Sequence, residues 1–124
     1  MAPRILIVDD DRLNITLLKF TLKEKRYEVQ TADDGIEGIK ALAVFKPDLI
    51  LLDIQMPNMN GFEFMAELKA VGSGDIPVIV LTANDNMQDM FYSEGVKGYF
   101  VKPIDPPRIE VRIREVLGLK GDIC

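Results

Sequence analysis

The stretch Ile5-Leu6-Ile7-Val8-Asp9-Asp10-Asp11 decides how the rest of the chain is read. Four apolar residues, three of them Ile or Val, run without polar interruption and then stop at three acids. Unbroken runs of this kind mark strands buried on both faces of a parallel sheet, where alternation between a wet and a dry face is lost. The pattern recurs at 49–52, which ends at Asp53, and at 78–81, which ends at Thr82. Two more polar runs, 27–31 and 99–101, read as strands nearer the sheet edges, the second ending at Lys102.

Segments of helical period lie between these runs. In the first, either Leu13, Leu17 and Phe20 or Ile15, Leu18 and Leu22 supply the apolar spacing. Ile36, Ile39, Leu42 and Ala43 mark the second, and Met65 with Leu68 a third starting near Gly61. Met87, Met90 and Phe91 mark a short fourth. Ile109, Ile113 and Val116 mark the fifth, opened by the cap-and-proline sequence Asp105-Pro106-Pro107. Five β-α units with right-handed crossovers give an α/β, doubly wound parallel sheet. Placing the three most apolar strands inside gives the order 2-1-3-4-5, the flavodoxin-like (βα)5 arrangement, whose crevice lies beyond the carboxyl ends of the strands.

Composition narrows the functions. The 124 residues form one domain, 1–124, with 118–124 expected as a loose C-terminal tail. A net charge of −5 disfavours direct contact with nucleic acid or an anionic membrane surface. No apolar run approaches the roughly 20 residues that span a bilayer. The single cysteine, Cys124, permits no internal disulfide and fits a reducing, cytoplasmic setting. With no histidine in the chain, histidine general bases, His-ligated zinc and Ser-His-Asp triads are excluded.

The sheet order brings Asp9, Asp10, Asp11, Asp53, Thr82 and Lys102 to one end of one sheet. Taken singly, each is ordinary: Asp11 reads as the N-cap of the first helix, Thr82 as a strand end, Lys102 as a turn residue before proline. Together, the carboxylates repel one another, and a hard divalent cation such as Mg²⁺ explains that cost better than capping does. Lys102 suits a phosphoryl oxygen as a point charge, and the Thr82 hydroxyl can donate to another. Asp53 is placed as a nucleophile that would form an aspartyl phosphate, a transfer resting on positioning and charge neutralisation.

Four motifs, in this order, resemble the receiver domain of two-component response regulators over residues 4–117. They are Ile5-Leu6-Ile7-Val8-Asp9-Asp10, Asp48-Leu49-Ile50-Leu51-Leu52-Asp53-Ile54-Gln55-Met56-Pro57 followed by Gly61, Leu81-Thr82-Ala83, and Gly98-Tyr99-Phe100-Val101-Lys102-Pro103. The resemblance implies Asp53 as phosphoacceptor, with Mg²⁺ held by Asp10, Asp53, the main-chain carbonyl of Gln55 and, through water, Asp9. It implies that Lys102 pairs with the phosphoryl group, that Thr82 swings onto it and that Tyr99 is the aromatic switch. It also implies a cis Lys102-Pro103 bond and a turn through Pro57 and Gly61 into the third helix. The donor would be the phosphohistidine of a histidine kinase or histidine phosphotransfer protein, and the output a downstream protein target. Such a domain promotes only its own phosphorylation and dephosphorylation. Gln55 and Asn84, two places after Asp53 and Thr82, match variable positions that influence phosphate lifetime. Residues 83–94 are fewer than receivers usually carry, so the fourth helix is expected to be short or reset, with some of Met87, Met90 and Phe91 exposed.

Three other readings fit less well. A haloacid-dehalogenase-type phosphatase needs a second Asp two places after the nucleophile, where Gln55 stands, and a cap domain. A flavodoxin-type carrier needs phosphate donors where this chain has Asp9-Asp10-Asp11-Arg12. A phosphorylation-independent receiver-like interaction module usually lacks an acidic or lysine position, and all are present here.

Overall fold

The computed structural model describes residues 2–56, 59–83 and 86–119. The expectations for Pro57 and Asn84, and for the tail beyond Leu119, fall outside the described residues. The elements are β1 (Arg4–Val8), α1 (Arg12–Glu24), β2 (Glu28–Ala32), α2 (Gly35–Phe45), β3 (Leu49–Asp53), α3 (Gly61–Ala70), β4 (Val78–Thr82), α4 (Gln88–Ser93), β5 (Gly98–Val101) and α5 (Pro106–Leu117). The five strands are parallel and ordered β2-β1-β3-β4-β5, as the distribution of apolar runs requires.

Alternate residues of the three central strands feed two separate cores, because strand side chains point to opposite faces. Leu6, Val8, Ile50, Leu52, Val78 and Val80 pack with Leu42, Phe64, Leu68 and Phe91 of α2, α3 and α4. Ile5, Ile7, Leu49, Leu51, Ile79 and Leu81 pack with Leu18, Leu22, Ile109 and Ile113 of α1 and α5. The edge strands β2 and β5 are only partly covered, which is why their sequences tolerate Glu28, Gln30 and Thr31.

The helix faces refine the expectations. In α1 the buried stripe is Asn14, Leu18 and Leu22, while Leu13 and Phe20 are 66% and 65% exposed. In α2 the buried residues are Gly35, Gly38 and Leu42; Ile36 lies outside and Ile39 is only partly covered. A side chain at Gly38 would bring its Cβ to 2.9 Å from Val8 Cγ2 and 3.1 Å from Phe64, so glycine there sets how closely α2 approaches the sheet. The fourth helix is short, as expected: of its apolar residues Phe91 is buried and Met90 is exposed. Helix α5 starts at the expected cap, Asp105 accepting from the Arg108 N–H with prolines in the first turn, and ends at Gly118 in the left-handed conformation. Leu119 then donates its N–H to Arg114 O at 2.9 Å, which satisfies a terminal carbonyl.

A buried polar contact joins the start of β2 to α5. The Tyr27 hydroxyl donates to Glu110 Oε2 at 2.9 Å, and Arg114 Nε stands 2.9 Å from the same oxygen. Burial and the neighbouring carboxylate push the Tyr27 hydroxyl's pKa upward, so it stays a donor. Among the described residues no helix is long and apolar enough to cross a membrane.

The two faces of α1 predict opposite outcomes. Leu18→Ala is expected to lose about 2–5 kcal/mol through a core cavity, and Phe20→Ala to stay within about 0.5 kcal/mol of wild type. Urea unfolding of both variants checks this, and equal losses would place Phe20 in the core.

Candidate functional site

The three acids after β1 are separated by their backbone geometry. Asp9 continues the strand line, its N–H bonded to Ala32 O at 3.1 Å, and is fully buried. Asp10 faces outward and is exposed. Asp11 turns into the N-cap of α1, its carboxylate accepting the Leu13 and Asn14 N–H groups at 3.0 and 3.4 Å. Its own N–H donates to Asp9 Oδ1 at 2.8 Å. The capping reading therefore holds for Asp11, which stands apart from the acid cluster.

Asp53 closes β3 and is 2% exposed. Together, Asp9, Asp10 and Asp53 present carboxylate oxygens that all lie within 4.8 Å of one another. Lys102 meets this group from the end of the edge strand β5, its Nζ 3.3 Å from Asp53 Oδ2 and 3.5 Å from Asp9 Oδ2. The lysine is held at its root as well: its N–H donates to Thr82 O at 2.7 Å, and the bond to Pro103 is cis. Thr82 is buried at the end of β4, opposite Val101. These five residues come from four different strand ends, and the sheet order is what brings them together.

Electrostatics sets the state of the site. Burial pushes the Asp53 carboxyl from 3.8 up to about 6, aided by the Asp9 charge and hydrogen bonding, while the Gln55 N–H and the Lys102 ammonium hold it down. The Gln55 N–H donates to Asp53 Oδ1 at 2.9 Å. Asp9 Oδ2 is buried with no hydrogen-bond partner within bonding geometry among the described residues, the Lys102 ammonium standing 3.5 Å away. A buried carboxylate oxygen of this kind, beside two further carboxylates, is a donor set that fits a hard, oxygen-seeking divalent cation.

Tyr99 lies on β5, three residues before Lys102. It is half-buried in β5, its ring 6.3 Å from that of Phe91, which stacks on Phe62 at 4.2 Å. Two contacts of the site had no expression in the sequence pattern: this stack, and a bond from the Ala83 N–H to Gln55 Oε1 at 3.4 Å. Hydrophobic spacing marks Phe91 as apolar but not its partner, and nothing local pairs residues 28 places apart.

The model of the response regulator receiver domain matches residues 5–114 of this sequence. The chain belongs to that family. As a receiver it is a phospho-accepting module of two-component signalling. It is 41% identical over 119 residues to the DNA-binding dual master transcriptional regulator RpaA of Synechocystis, covering 93% of this chain and 49% of that protein. It is 35% identical over 119 residues to the alkaline phosphatase synthesis transcriptional regulatory protein PhoP of Bacillus subtilis, covering 94% and 49%. The receiver thus spans about half the length of these relatives. Among solved structures it resembles chemotaxis response regulator CheY4 of Vibrio cholerae at 28% identity and a TM-score of 0.84, covering 94% of this chain and 99% of that one. It also resembles the receiver domain of sensor histidine kinase PA1611 of Pseudomonas aeruginosa at 26% identity and a TM-score of 0.83, covering 95% and 99%. That structure has a magnesium ion coordinated in the active site cleft.

The raised Asp53 value carries a signed consequence for the metal-free protein. With its carboxyl titrating at about 6 instead of 3.8, the folded chain binds that proton more tightly than the unfolded chain. The stability this contributes is complete below the unfolded value and is lost as pH rises through about 6. Asp53→Asn is neutral throughout, so between about pH 4 and pH 7 it is expected to gain about 2–3 kcal/mol on wild type. Denaturant titrations in a chelator check this; stability curves that stay parallel would show Asp53 to be unstrained.

Proposed function

We propose that Asp53 accepts a phosphoryl group from the phosphohistidine of a histidine kinase or histidine phosphotransfer protein. An Asp53 carboxylate oxygen bonds to phosphorus as the phosphorus–nitrogen bond breaks, leaving the electron pair on the departing imidazole. No general base is needed, because the nucleophile is already an anion above about pH 6. Lys102, between Asp53 and Asp9, is placed to take a phosphoryl oxygen, and the Thr82 hydroxyl is the donor for another. A Mg²⁺ held by Asp10, Asp53, the Gln55 main-chain carbonyl and, through water, Asp9 would offset the charge of the incoming group. The observation that carries this reading is the single Lys102 ammonium shared by two buried carboxylates, 3.3 and 3.5 Å away, at the mouth of a parallel sheet.

The product adds about −1.5 to −2 charge beside Thr82. Drawn toward it, Thr82 vacates space into which Tyr99 repacks, and the surface near α4 and β5 shifts between two populations. The receiver acts on no other substrate, and its output is a downstream protein target. On α1, Leu13, Leu17 and Phe20 form an exposed apolar stripe that starts beside Asp10 and Asp11. A phosphodonor protein packing there would bring its imidazole to the cleft.

Acetyl phosphate with Mg²⁺ tests the chemistry. Wild type is expected to gain one phosphoryl group per chain, seen as an acid-stable, base-labile mass increase, and Asp53→Asn none. Full labelling of Asp53→Asn would refute the choice of nucleophile. Lys102→Ala is expected to label slowly without the change in Tyr99 ring resonances that wild type shows, and a normal Tyr99 response would remove Lys102 from the switch.

A further inference from the structure

We propose that the Gln55 side chain is a positioning residue, a latch that occupies the Ala83 N–H until an anion on Asp53 takes that donor. The inference rests on the reading of Asp53 as phosphoacceptor and adds a residue to it.

Gln55 contacts the site in two directions. Its main-chain N–H turns inward to Asp53 Oδ1 at 2.9 Å, and its side-chain Oε1 reaches sideways to the Ala83 N–H at 3.4 Å. The second contact ties the turn after β3 to the turn after β4. These turns are neighbours because β3 pairs with β4, Asp53 standing opposite Leu81. Ala83 directly follows Thr82, and the Gln55 that its N–H meets also bonds Asp53 through its own main chain, which keeps both groups within the reach of one residue. Gln55 is exposed, so packing does not force this arrangement. A rotamer-rich side chain is held across the cleft by one long, neutral hydrogen bond.

A phosphoryl group on Asp53 would bring three strong acceptor oxygens to that mouth. A main-chain N–H bonds an anionic oxygen about twice as strongly as a neutral amide oxygen. The anion therefore displaces Gln55, and the turn after β4 loses its tie to the turn after β3 when Thr82 has to move. Gln55 thus opposes anion binding and holds the resting position of the Thr82 turn until the anion arrives.

Gln55→Met keeps the chain length of the side chain and removes the acceptor. The full chain, saturated with Mg²⁺, is titrated with beryllofluoride, whose tetrahedral anion stands in for the phosphoryl group, and followed by ¹⁵N NMR. The Ala83 amide resonance is expected to differ between wild type and Gln55→Met before the anion is added and to coincide at saturation. The beryllofluoride Kd of Gln55→Met is expected to fall about two- to tenfold, the worth of one net hydrogen bond. Gln55→Glu, which keeps an acceptor and adds like charge, is expected to bind more weakly than wild type. An unchanged or higher Kd for Gln55→Met, or identical Ala83 resonances before addition, would overturn the latch while leaving Asp53 as acceptor. A wild-type chain that binds no beryllofluoride and takes no label from acetyl phosphate would instead overturn the phosphoacceptor reading, and the latch with it.

Discussion

Two buried carboxylates, Asp9 and Asp53, share one ammonium, and the rest of the molecule is arranged around that imbalance. At an effective dielectric of about 20, two unit charges about 5 Å apart repel by about 3 kcal/mol. Lys102 answers both but cannot cancel both, and the exposed Asp10 adds a third charge to the group. Asp53 relieves part of the strain by holding its proton up to about pH 6. Such a site costs stability when empty and gains from any arriving cation, which is the arrangement a switch requires. The uninterrupted apolar runs of the three central strands, covered by helices on both faces, offset the cost.

The same strands connect the site to the surface. Thr82 and Lys102 are joined through their main chains, and Tyr99 lies three residues before the lysine on β5. Behind Tyr99, Phe91 is the buried anchor of the six-residue α4 and stacks on Phe62 of α3. A helix this short has little burial of its own, so the aromatic contacts govern where it sits. Any repacking of Tyr99 would therefore be felt first by α4, through Phe91.

The fold was legible in the sequence because buried parallel strands leave uninterrupted runs of Ile, Leu and Val, and because the less apolar runs could lie only at the edges. The strand-end acids, Thr82 and Lys102 followed from the same order. Asp11 could be read as a cap because an Asp between a strand and the helix that follows is a common N-cap. What stayed hidden depends on tertiary contact. Two stripes of α1 have equally good helical spacing, and packing, not periodicity, buried Leu18 and exposed Phe20. The buried face of α2 is lined by Gly35 and Gly38, which an apolar pattern cannot register. The Tyr27–Glu110 and Gln55–Ala83 contacts join residues distant in the chain through polar atoms, leaving no periodic trace.

Proton release on metal binding tests the strained carboxyl most directly. A cation that takes the Asp53 carboxylate must first displace the proton that Asp53 retains near pH 6. Calorimetry of Mg²⁺ binding in buffers of different ionisation enthalpy is expected to show one ion per chain, with about half a proton released at pH 6 and almost none at pH 8. Mg²⁺ binding that released no proton at pH 6, or that persisted unchanged in Asp53→Asn, would contradict the picture of a single pit of competing acids.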